Sequence, residues 1–233
     1  AARAVFSEVV RRVDAVSVVT PTETHCAIGL EFLSRGISTL IEKPISVTIK
    51  EAEALISEAE ARGAVLQVGH LERFNPAVVA LAGKVKNPMF IESHRLSPFP
   101  HRALDVDVVL DLMIHDIDII LNMVKAEIES VEAVGIPVIS HKIDIANARI
   151  KFTNGCVADF TASRISKERT RKIRLFQSDA YISIDYAHQK ISVTRLKREE
   201  GSMVPSIVED VLPIEKGDSL KAEILSFVDC VVK

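Results

Sequence analysis

The chain has 233 residues, of which 48% are hydrophobic and 26% are charged, a balance typical of a globular protein. Its 29 basic and 32 acidic side chains give a net charge of −3, so no basic excess is available to neutralise the phosphates of a nucleic acid. The most apolar segment, 106–124, contains four aspartates and a histidine, each of which is costly in a bilayer. With no recognisable leader near residue 1, we expect a cytoplasmic protein that binds neither nucleic acid nor membrane.

Cys26, Cys156 and Cys230 lie far apart and form no C-x-x-C pair. This spacing argues against a disulfide framework and against a zinc knuckle. We predict that all three are small buried residues.

Both ends of the sequence resemble helices that are cut short. Near the start, helical spacing is shown by Val5, Val9, Val10 and Val13. The segment 220–232 predicts another helix, which reaches Lys233 without a cap. We therefore expect this sequence to be part of a longer protein.

Three short apolar strands alternate with two helices over the first third of the chain. Thr24 and the capping box Thr48–Glu51 mark the helix starts, while Gly36 and Gly63 follow the helix ends. Strands that alternate with helices at this spacing pair in parallel through right-handed crossovers, as in half of a doubly wound α/β sheet. The predicted strands are 14–20, 38–42 and 64–68.

After Pro76 the pattern changes to one long helix, 106–124, followed by runs with two-residue alternation. Asn154-Gly155 predicts a type I′ hairpin turn and Ser178-Asp179 a further turn. We therefore predict an α/β domain over 1–75 and, over 76–233, an α+β domain with an open, mainly antiparallel sheet. The predicted strands are 130–139, 144–152, 156–164, 171–177, 181–186 and 190–196.

Glu42-Lys43-Pro44 follows a predicted parallel strand, and open α/β sheets bind ligands at the carboxyl ends of such strands. Because the proline restricts the turn, the lysine can be held in a cleft. The spacing alone also fits an exposed ion pair in a loop.

Asp111 and His115 lie four residues apart on the predicted helix and therefore share one face. In such a pair the carboxylate can fix the ring tautomer while the other ring nitrogen transfers a proton near neutral pH. Together with Asp118 they could instead form the solvent-exposed polar face of an amphipathic helix. The helix is apolar nearly all round, which favours a cavity lining.

A metal site, as in a metal-dependent hydrolase, is an alternative for the His and Asp residues near this helix, but their spacing matches no zinc motif. Arg73 and Arg164 are candidate anion-binding residues, although a lone arginine usually forms a surface ion pair. The possible metal ligands are His94, His101, Asp105, Asp107, Asp111, His115 and Asp116.

None of the nine glycines forms a G-x-G motif, so the phosphate-binding loop of a dinucleotide fold is not present in this sequence. Four other segments, in order and spacing, resemble the Gfo/Idh/MocA oxidoreductases, and the resemblance covers essentially the whole chain. The family combines a Rossmann domain with an open-sheet α/β domain, and its Gly-rich loop would lie before Ala1. The segments are VDAVSVVTPTETH (13–25), LIEKPIS (40–46), LQVGHLERFNPA (66–77) and DVVLDLMIHDIDIIL (107–121).

The resemblance implies reversible hydride transfer between NAD or NADP and a secondary hydroxyl of a sugar or nucleotide sugar. It implies that Lys43 hydrogen-bonds the reacting oxygen, that His115 is the acid/base and that Asp111 is its acidic partner. The segments HRLSPFPHR (94–102) and TASRIS (161–166) further resemble members that act on the C3 hydroxyl of UDP-N-acetylglucosamine. A non-catalytic, ligand-sensing relative of the same fold is the second hypothesis.

We expect no metal site, and the resemblance implies a wider set of contacts. The implied cofactor contacts are Thr20, Pro21, His25, Glu42, Lys43, Pro44 and Arg73. The implied substrate contacts are Lys43, Asn75, Arg102, Asp111, His115 and Arg164.

The open sheet also predicts a homo-oligomer, a dimer or tetramer. Its strands carry apolar residues in places on both faces, and helices can cover only one of them. The residues on which this expectation rests are Val131, Ala133, Ile182, Ile184, Ile191 and Val193.

Overall fold

The computed structural model describes residues 12–81, 83–99, 106–197 and 206–233, which form two compact units. The first unit comprises the described residues up to Leu71 together with Leu220–Lys233, and the second comprises Glu72–Ser219. We placed the whole of 76–233 in the second domain, whereas the C-terminal helix belongs to the first unit. Of the residues that predicted an opening helix, Val5, Val9 and Val10 lie outside the described residues, and Val13 is described but is not helical.

A three-stranded parallel sheet forms the centre of the first unit. Strands β1 (Ala15–Val18), β2 (Ser38–Glu42) and β3 (Leu66–Gly69) lie in that order, joined by helices α1 (His25–Leu33) and α2 (Ile49–Arg62). The central strand β2 is buried from Ser38 to Ile41, as expected for a strand with parallel neighbours on both sides.

Two local features fix how the first helices begin and pack. The predicted capping box at Thr48–Glu51 is present, and Gly63 ends α2 with a positive φ of 62°. On α1, a Cβ added to Gly29 would lie 2.6 Å from a terminal carbon of Leu55 and 2.8 Å from one of Ile41, so a larger residue here would require those side-chain ends to shift. Thr24 does not cap α1, because its hydroxyl bonds the Thr20 hydroxyl and the Pro21 carbonyl instead.

An eight-stranded sheet dominates the second unit, with strand order β11-β10-β9-β8-β4-β7-β6-β5. Only the β4–β7 pair is parallel, so the predicted open and mainly antiparallel sheet is confirmed. The strands are β4 (Phe90–Leu96), β5 (Ile128–Ile136), β6 (Ile145–Phe152), β7 (Val157–Ser163), β8 (Thr170–Gln177), β9 (Ala180–Asp185), β10 (Lys190–Lys197) and β11 (Ser206–Leu212).

Helical segments cover one face of this sheet and enclose the core with it. They are α3 (Pro76–Val79), a π-helical turn (Val109–Met113) and α4 (Ile114–Val124). Met113, Ile119 and Ile120 from the helical layer pack in one apolar cluster with sheet residues such as Ile91 and Ile173. The last helix, α5 (Ser219–Val232), falls almost wholly in the first unit and buries Glu223 and Phe227.

The hairpin between β6 and β7 lies where Asn154-Gly155 predicted it, but its turn is of another type. Only Gly155 has a positive φ, of 85°, whereas a type I′ turn requires positive φ at both central residues. The Gly155 N–H donates to the Phe152 carbonyl, which closes a turn over Thr153 and Asn154 with the glycine following it.

The residues that suggested an apolar uncovered face lie elsewhere. Ile182, Ile184 and Ile191 are at most 1% exposed and belong to the core on the helix-covered face. Residues paired across antiparallel strands share a face, so Val131 and Ala133 lie on the same face as Ile150 and Ala148, at its exposed edge. These residues therefore do not indicate an apolar face that needs a covering partner.

The cysteine prediction was correct only for Cys156, which is buried, because Cys26 is partly exposed and Cys230 exposed. In the part of the chain that the structure describes, no helix combines the length and apolar character needed to cross a membrane.

Candidate active site

In the first unit, the predicted cofactor contacts lie at the carboxyl ends of β1 and β2. Thr20 and Pro21 follow β1 and are exposed, while Lys43 follows Glu42 at the end of β2 and is half-buried. Parallel neighbouring strands place these two loops at one edge of the sheet, where open α/β sheets bind ligands. The exposed backbone of Thr20 and Pro21, the half-buried ammonium of Lys43 and the half-buried carboxylate of Glu42 suit a polar cofactor.

The buried side chain of His25 lies between these two loops and contacts the backbone of both. Its Nδ1 lies 2.9 Å from the Pro44 carbonyl oxygen and its Nε2 lies 2.8 Å from the Thr20 carbonyl oxygen, and the residue is 1% exposed. Both ring nitrogens therefore face backbone rather than solvent. With both ring nitrogens engaged in this way, the geometry does not favour the direct cofactor contact implied for His25, and we infer that His25 positions the Thr20 and Pro44 loops.

Replacement of His25 by phenylalanine keeps a ring in the buried space but removes both contacts to backbone carbonyls. Because the exchange removes one or two hydrogen bonds that position the loops, we expect the KM for the nicotinamide cofactor to rise about tenfold. We expect a smaller fall in kcat. Steady-state kinetics against cofactor concentration measure this split, with the exposed His141→Phe as the matched control. A fall in kcat at unchanged KM would contradict the positioning role.

Glu42 is held against the backbone of the neighbouring strand. It pairs in register with Gly69, and a Cβ on that glycine would lie 3.1 Å from the Glu42 carboxylate. Glycine at position 69 therefore leaves room for this carboxylate beside the strand end.

Glu223 of α5 is a buried carboxyl group near Glu42. It is 1% exposed, and neither of its oxygens has a hydrogen-bond partner among the described residues. Burial, and next the negative charge of Glu42, raise the pKa of Glu223 to about 7. Sequence reasoning did not single it out, because it lies far along the chain from the strand ends.

Because the pKa of Glu223 is raised on folding, the folded state retains a proton that the unfolded state releases near its usual value of 4.5. The free energy of unfolding should therefore fall as the pH rises from about 4.5 through 7. Glu223→Gln should be more stable than the parent at pH 8, by roughly 1–3 kcal/mol, and nearly equal to it at pH 5. Thermal unfolding across this range tests it, with exposed Glu53→Gln as the control; a difference independent of pH would contradict it.

In the second unit, Asp111 and His115 lie on successive turns of one helical segment. Asp111 belongs to the π-helical turn and His115 to the first turn of α4, and both are half-buried. The Asp107 carboxylate starts the segment by accepting the Val109 and Leu110 N–H groups, at 2.9 and 3.0 Å. The long helix predicted over about 106–124 is therefore present, but its first turn is π-helical, and this wider turn, a feature frequent at functional sites, presents Asp111.

A buried ionic network anchors the residue next to His115. The Arg95 guanidinium donates to both oxygens of Asp116, at 2.7–3.1 Å, and to Glu72 at 3.0 Å, and Arg95 and Asp116 are 3% and 2% exposed. This network ties α4 to β4 and so fixes the start of the helix that carries His115. Arg95 alternates with Ile91 and Ser93 on the core-facing side of β4, which is the sequence signal that we did not use.

The other predicted contacts in the second unit are engaged with protein groups. Asn75 caps α3 through the Ala77 N–H and donates to Glu72, and it is buried. Arg73 forms a two-pronged pair with Asp118, at 2.7 and 2.5 Å, but remains half-exposed.

Arg164 does not fit the substrate contact that we expected of it. It is fully buried, and its guanidinium donates to Asp144, the Val106 carbonyl and the Ser140 hydroxyl. We therefore assign it to the stability of the unit. Arg102 lies outside the described residues, as do His101 and Asp105.

Among the described residues, no group of three or more His, Cys, Asp or Glu side chains is arranged to hold a metal ion. Asp116, one of the possible ligands, is occupied by Arg95.

Comparisons with known proteins agree with both units. The family described as Gfo/Idh/MocA, "Oxidoreductase family, NAD-binding Rossmann fold", matches residues 3–70, and its C-terminal domain family matches 82–183. The chain is 39% identical over 221 residues to UDP-N-acetylglucosamine 3-dehydrogenase of Acidithiobacillus ferrooxidans, covering 94% of this chain and 70% of that enzyme. The chain belongs to the Gfo/Idh/MocA oxidoreductase family. The predicted family, Rossmann-type fold class and nicotinamide cofactor are thereby confirmed.

Further similar proteins show how this similarity is distributed. A solved structure of the Acidithiobacillus ferrooxidans enzyme superposes with a TM-score of 0.90 at 38% identity, covering 97% of this chain and 73% of that one. Scyllo-inositol 2-dehydrogenase (NAD(+)) of Bacillus subtilis is 30% identical, over 66% of this chain and 49% of the enzyme. An inositol dehydrogenase homologue from Azotobacter vinelandii, crystallised with NADH and myo-inositol, shares the fold at 21% identity and a TM-score of 0.73. The chain thus spans about half to three quarters of these relatives.

Proposed function

We propose that this chain belongs to an NAD(P)-dependent dehydrogenase that interconverts the C3 hydroxyl and C3 ketone of UDP-N-acetylglucosamine. One observation carries the proposal: Lys43 after β2, and Asp111 and His115 in the first turns of one helical segment, are half-buried in a chain 39% identical to an enzyme named for that reaction. Polar groups held partly out of water at the ends of rigid elements can act on a substrate with defined geometry.

The nicotinamide, when bound, supplies the hydride acceptor or donor. His115 accepts the proton of the C3 hydroxyl in the oxidation and returns it in the reduction. Lys43 donates a hydrogen bond to the same oxygen and stabilises the negative charge that develops on it. Asp111, one turn before His115, orients the imidazole so that one ring nitrogen faces the substrate.

The residues of the first unit fit a dinucleotide in their chemistry. Exposed Thr20 and Pro21 offer backbone for close approach, and the Glu42 carboxylate can accept hydrogen bonds from ribose hydroxyls. Glycine at position 69 keeps the space beside that carboxylate open.

The test uses the full-length protein with NAD or NADP and compares UDP-N-acetylglucosamine, UDP-N-acetylgalactosamine and myo-inositol as substrates. We expect reduced nicotinamide to form, measured by its absorbance, fastest with UDP-N-acetylglucosamine, and the product to be the 3-keto sugar by mass spectrometry and NMR. Turnover of myo-inositol alone, or no turnover with any sugar, would overturn the proposal.

We also propose that the protein forms a dimer or tetramer through the face of the large sheet that the described helical segments leave uncovered. Three aromatic side chains meet there: Phe90 and Phe176 stack at 5.7 Å, and Phe176 contacts Tyr181 at 5.0 Å between ring centres. Their strand neighbours Ile91, Leu175 and Ile182 point into the core, so the aromatic group lies on the opposite face. Light scattering during chromatography should give a multiple of the monomer mass, reduced by Phe176→Glu; a monomer of the parent at micromolar concentration contradicts this.

A further inference from the structure

A cavity of about 330 Å³ lies in the second unit between α3, the segment after it and the C-terminal half of α4. Its walls are mainly apolar, formed among others by Val78, Leu81, Val85, Ile119 and Met123. This volume falls within the range of small-molecule sites. None of the roles assigned so far to Asp111, His115 or Lys43 uses it.

The polar groups at this cavity are few and of defined character. The two charged residues that line it, Arg73 and Lys125, are both basic, and Asn122 adds a carboxamide. Arg73 uses Nε and Nη2 for Asp118, which leaves Nη1 for a ligand. Lys125 is exposed and forms no ion pair with any described residue, so its ammonium is available to an anion.

Lys125 also has an unusual backbone. It ends α4 in the left-handed region, at φ 50° and ψ 41°, where glycine or asparagine is preferred. A lysine at this position is conformationally costly, and it places a positive charge beside the cavity. An exchange to asparagine would relax the backbone while it removes the charge.

The cavity continues the face of α4 that carries His115. His115, Ile119, Asn122 and Met123 are spaced by four, seven and eight residues, which places them on one side of the helix. The rise of an α-helix puts Asn122 about 10 Å from His115 along the axis. A pyranose ring and a diphosphate laid end to end span a similar length.

We propose that this cavity binds the uridine diphosphate portion of the substrate, an inference that rests on the proposed function. The uracil edge presents both N–H and C=O groups, which the Asn122 carboxamide can match as acceptor and donor. The diphosphate is complementary to Arg73 and Lys125, while Val78, Val85 and Met123 contact the faces of the base and ribose. The sugar then lies along α4 toward His115.

This assignment explains how one fold selects a nucleotide sugar over a free cyclitol. A free inositol cannot use a cavity about 10 Å from the acid/base residue. Binding energy from the remote uridine diphosphate can therefore favour the nucleotide sugar without altering the chemistry at C3.

The experiment measures UDP binding to the full-length protein by calorimetry, with uridine and pyrophosphate as partial probes, and the KM for UDP-N-acetylglucosamine. We expect UDP to bind and to compete with the sugar nucleotide, and each partial probe to bind at least tenfold more weakly. Asn122→Ala and Lys125→Asn should each weaken UDP binding and raise KM about tenfold with kcat little changed. Lys142→Asn, at an exposed lysine in the same unit, is the control.

The outcomes separate the two proposals. Oxidation of UDP-N-acetylglucosamine with UDP affinity and KM unchanged in both cavity variants would overturn the cavity assignment and leave the proposed function standing. UDP binding that the cavity variants abolish, with no sugar oxidised, would support the cavity and overturn the proposed function. Absence of UDP binding to the parent protein would overturn the cavity assignment directly.

Discussion

Replacement of Lys43 by methionine is expected to lower kcat by about 10²- to 10⁴-fold, while the affinity for the nicotinamide cofactor changes little. The methionine keeps most of the apolar stem, so packing at the end of β2 is preserved. What is lost is the one ammonium in the Glu42-Lys43-Pro44 loop, which donates to the reacting oxygen in the proposed reaction. Single-turnover absorbance measurements give the rate, and titration of the cofactor gives its dissociation constant.

The matched control is Lys50→Met, an exposed lysine in the first turn of α2 of the same unit. It should leave kcat within twofold of the parent. A Lys43→Met protein with unchanged turnover would remove this lysine from the mechanism. One that loses cofactor binding to the same extent as turnover would show that Lys43 holds the cofactor rather than the reacting oxygen.

The features predictable from sequence were those whose signal is local. The capping box at Thr48–Glu51 and the helix end at Gly63 depend on a few adjacent residues, and both are confirmed. The alternation of strands and helices likewise predicted the parallel sheet, because each element buries its own apolar residues. The Lys43 and Asp111/His115 motifs are local in the same sense.

The features missed were those in which distant residues satisfy each other. Strand β4 was not predicted because its core-facing side reads Ile91, Ser93, Arg95, and a charged residue breaks the apolar alternation. Arg95 can be buried only because Asp116 and Glu72, from other elements, neutralise it. Edge strand β11 was missed for a different reason, since its side chains are mostly exposed and carry little pattern.

The same reasoning separates the candidate site residues. Sequence cannot distinguish an arginine that awaits a ligand from one that already has its partners, because both are simply charged residues near a strand end. Arg164 was assigned to substrate on that basis, whereas in the structure it forms a buried ion pair with Asp144, twenty positions earlier. His25 was likewise assigned to the cofactor, although its neighbours are the carbonyls of Thr20 and Pro44.

The Asp144–Arg164 pair carries the largest expected effect on stability. Both residues are fully buried, and Asp144 accepts hydrogen bonds from the N–H groups of Val138, Ile139 and Ser140, at 2.6–2.8 Å, and from the Ser140 hydroxyl at 2.6 Å. Arg164→Met leaves this carboxylate buried without its counter-charge, and we expect the free energy of unfolding to fall by about 3–5 kcal/mol. Urea denaturation measures it, and Arg195→Met is the control.

Arg195 pairs with Asp210 on the exposed strands β10 and β11, so its replacement should cost less than about 1 kcal/mol. Equal effects of the two arginine variants would contradict the role of burial. The double variant Arg164→Met/Asp144→Leu should recover part of the loss, since it removes both charges together. Recovery identifies the unpaired charge, rather than lost packing, as the main cause of the single-variant loss.

The pH dependence of stability gives a separate measure of the hydrogen bonds that Asp144 accepts. Burial by itself would raise the pKa of Asp144, but the hydrogen bonds from Ser140, Ile139 and Val138 outweigh it and hold that pKa well below its usual value of 3.8. A carboxyl group whose pKa falls on folding stabilises the folded state above its usual value, and that stabilisation is lost as the pH falls below it. The parent should therefore lose stability between about pH 4 and pH 2 more steeply than Asp144→Asn, which has no carboxyl group to protonate at this position. Parallel acid-unfolding curves for the two proteins would show that the pKa of Asp144 does not change on folding, which would contradict the stabilising role of the hydrogen bonds to this carboxylate.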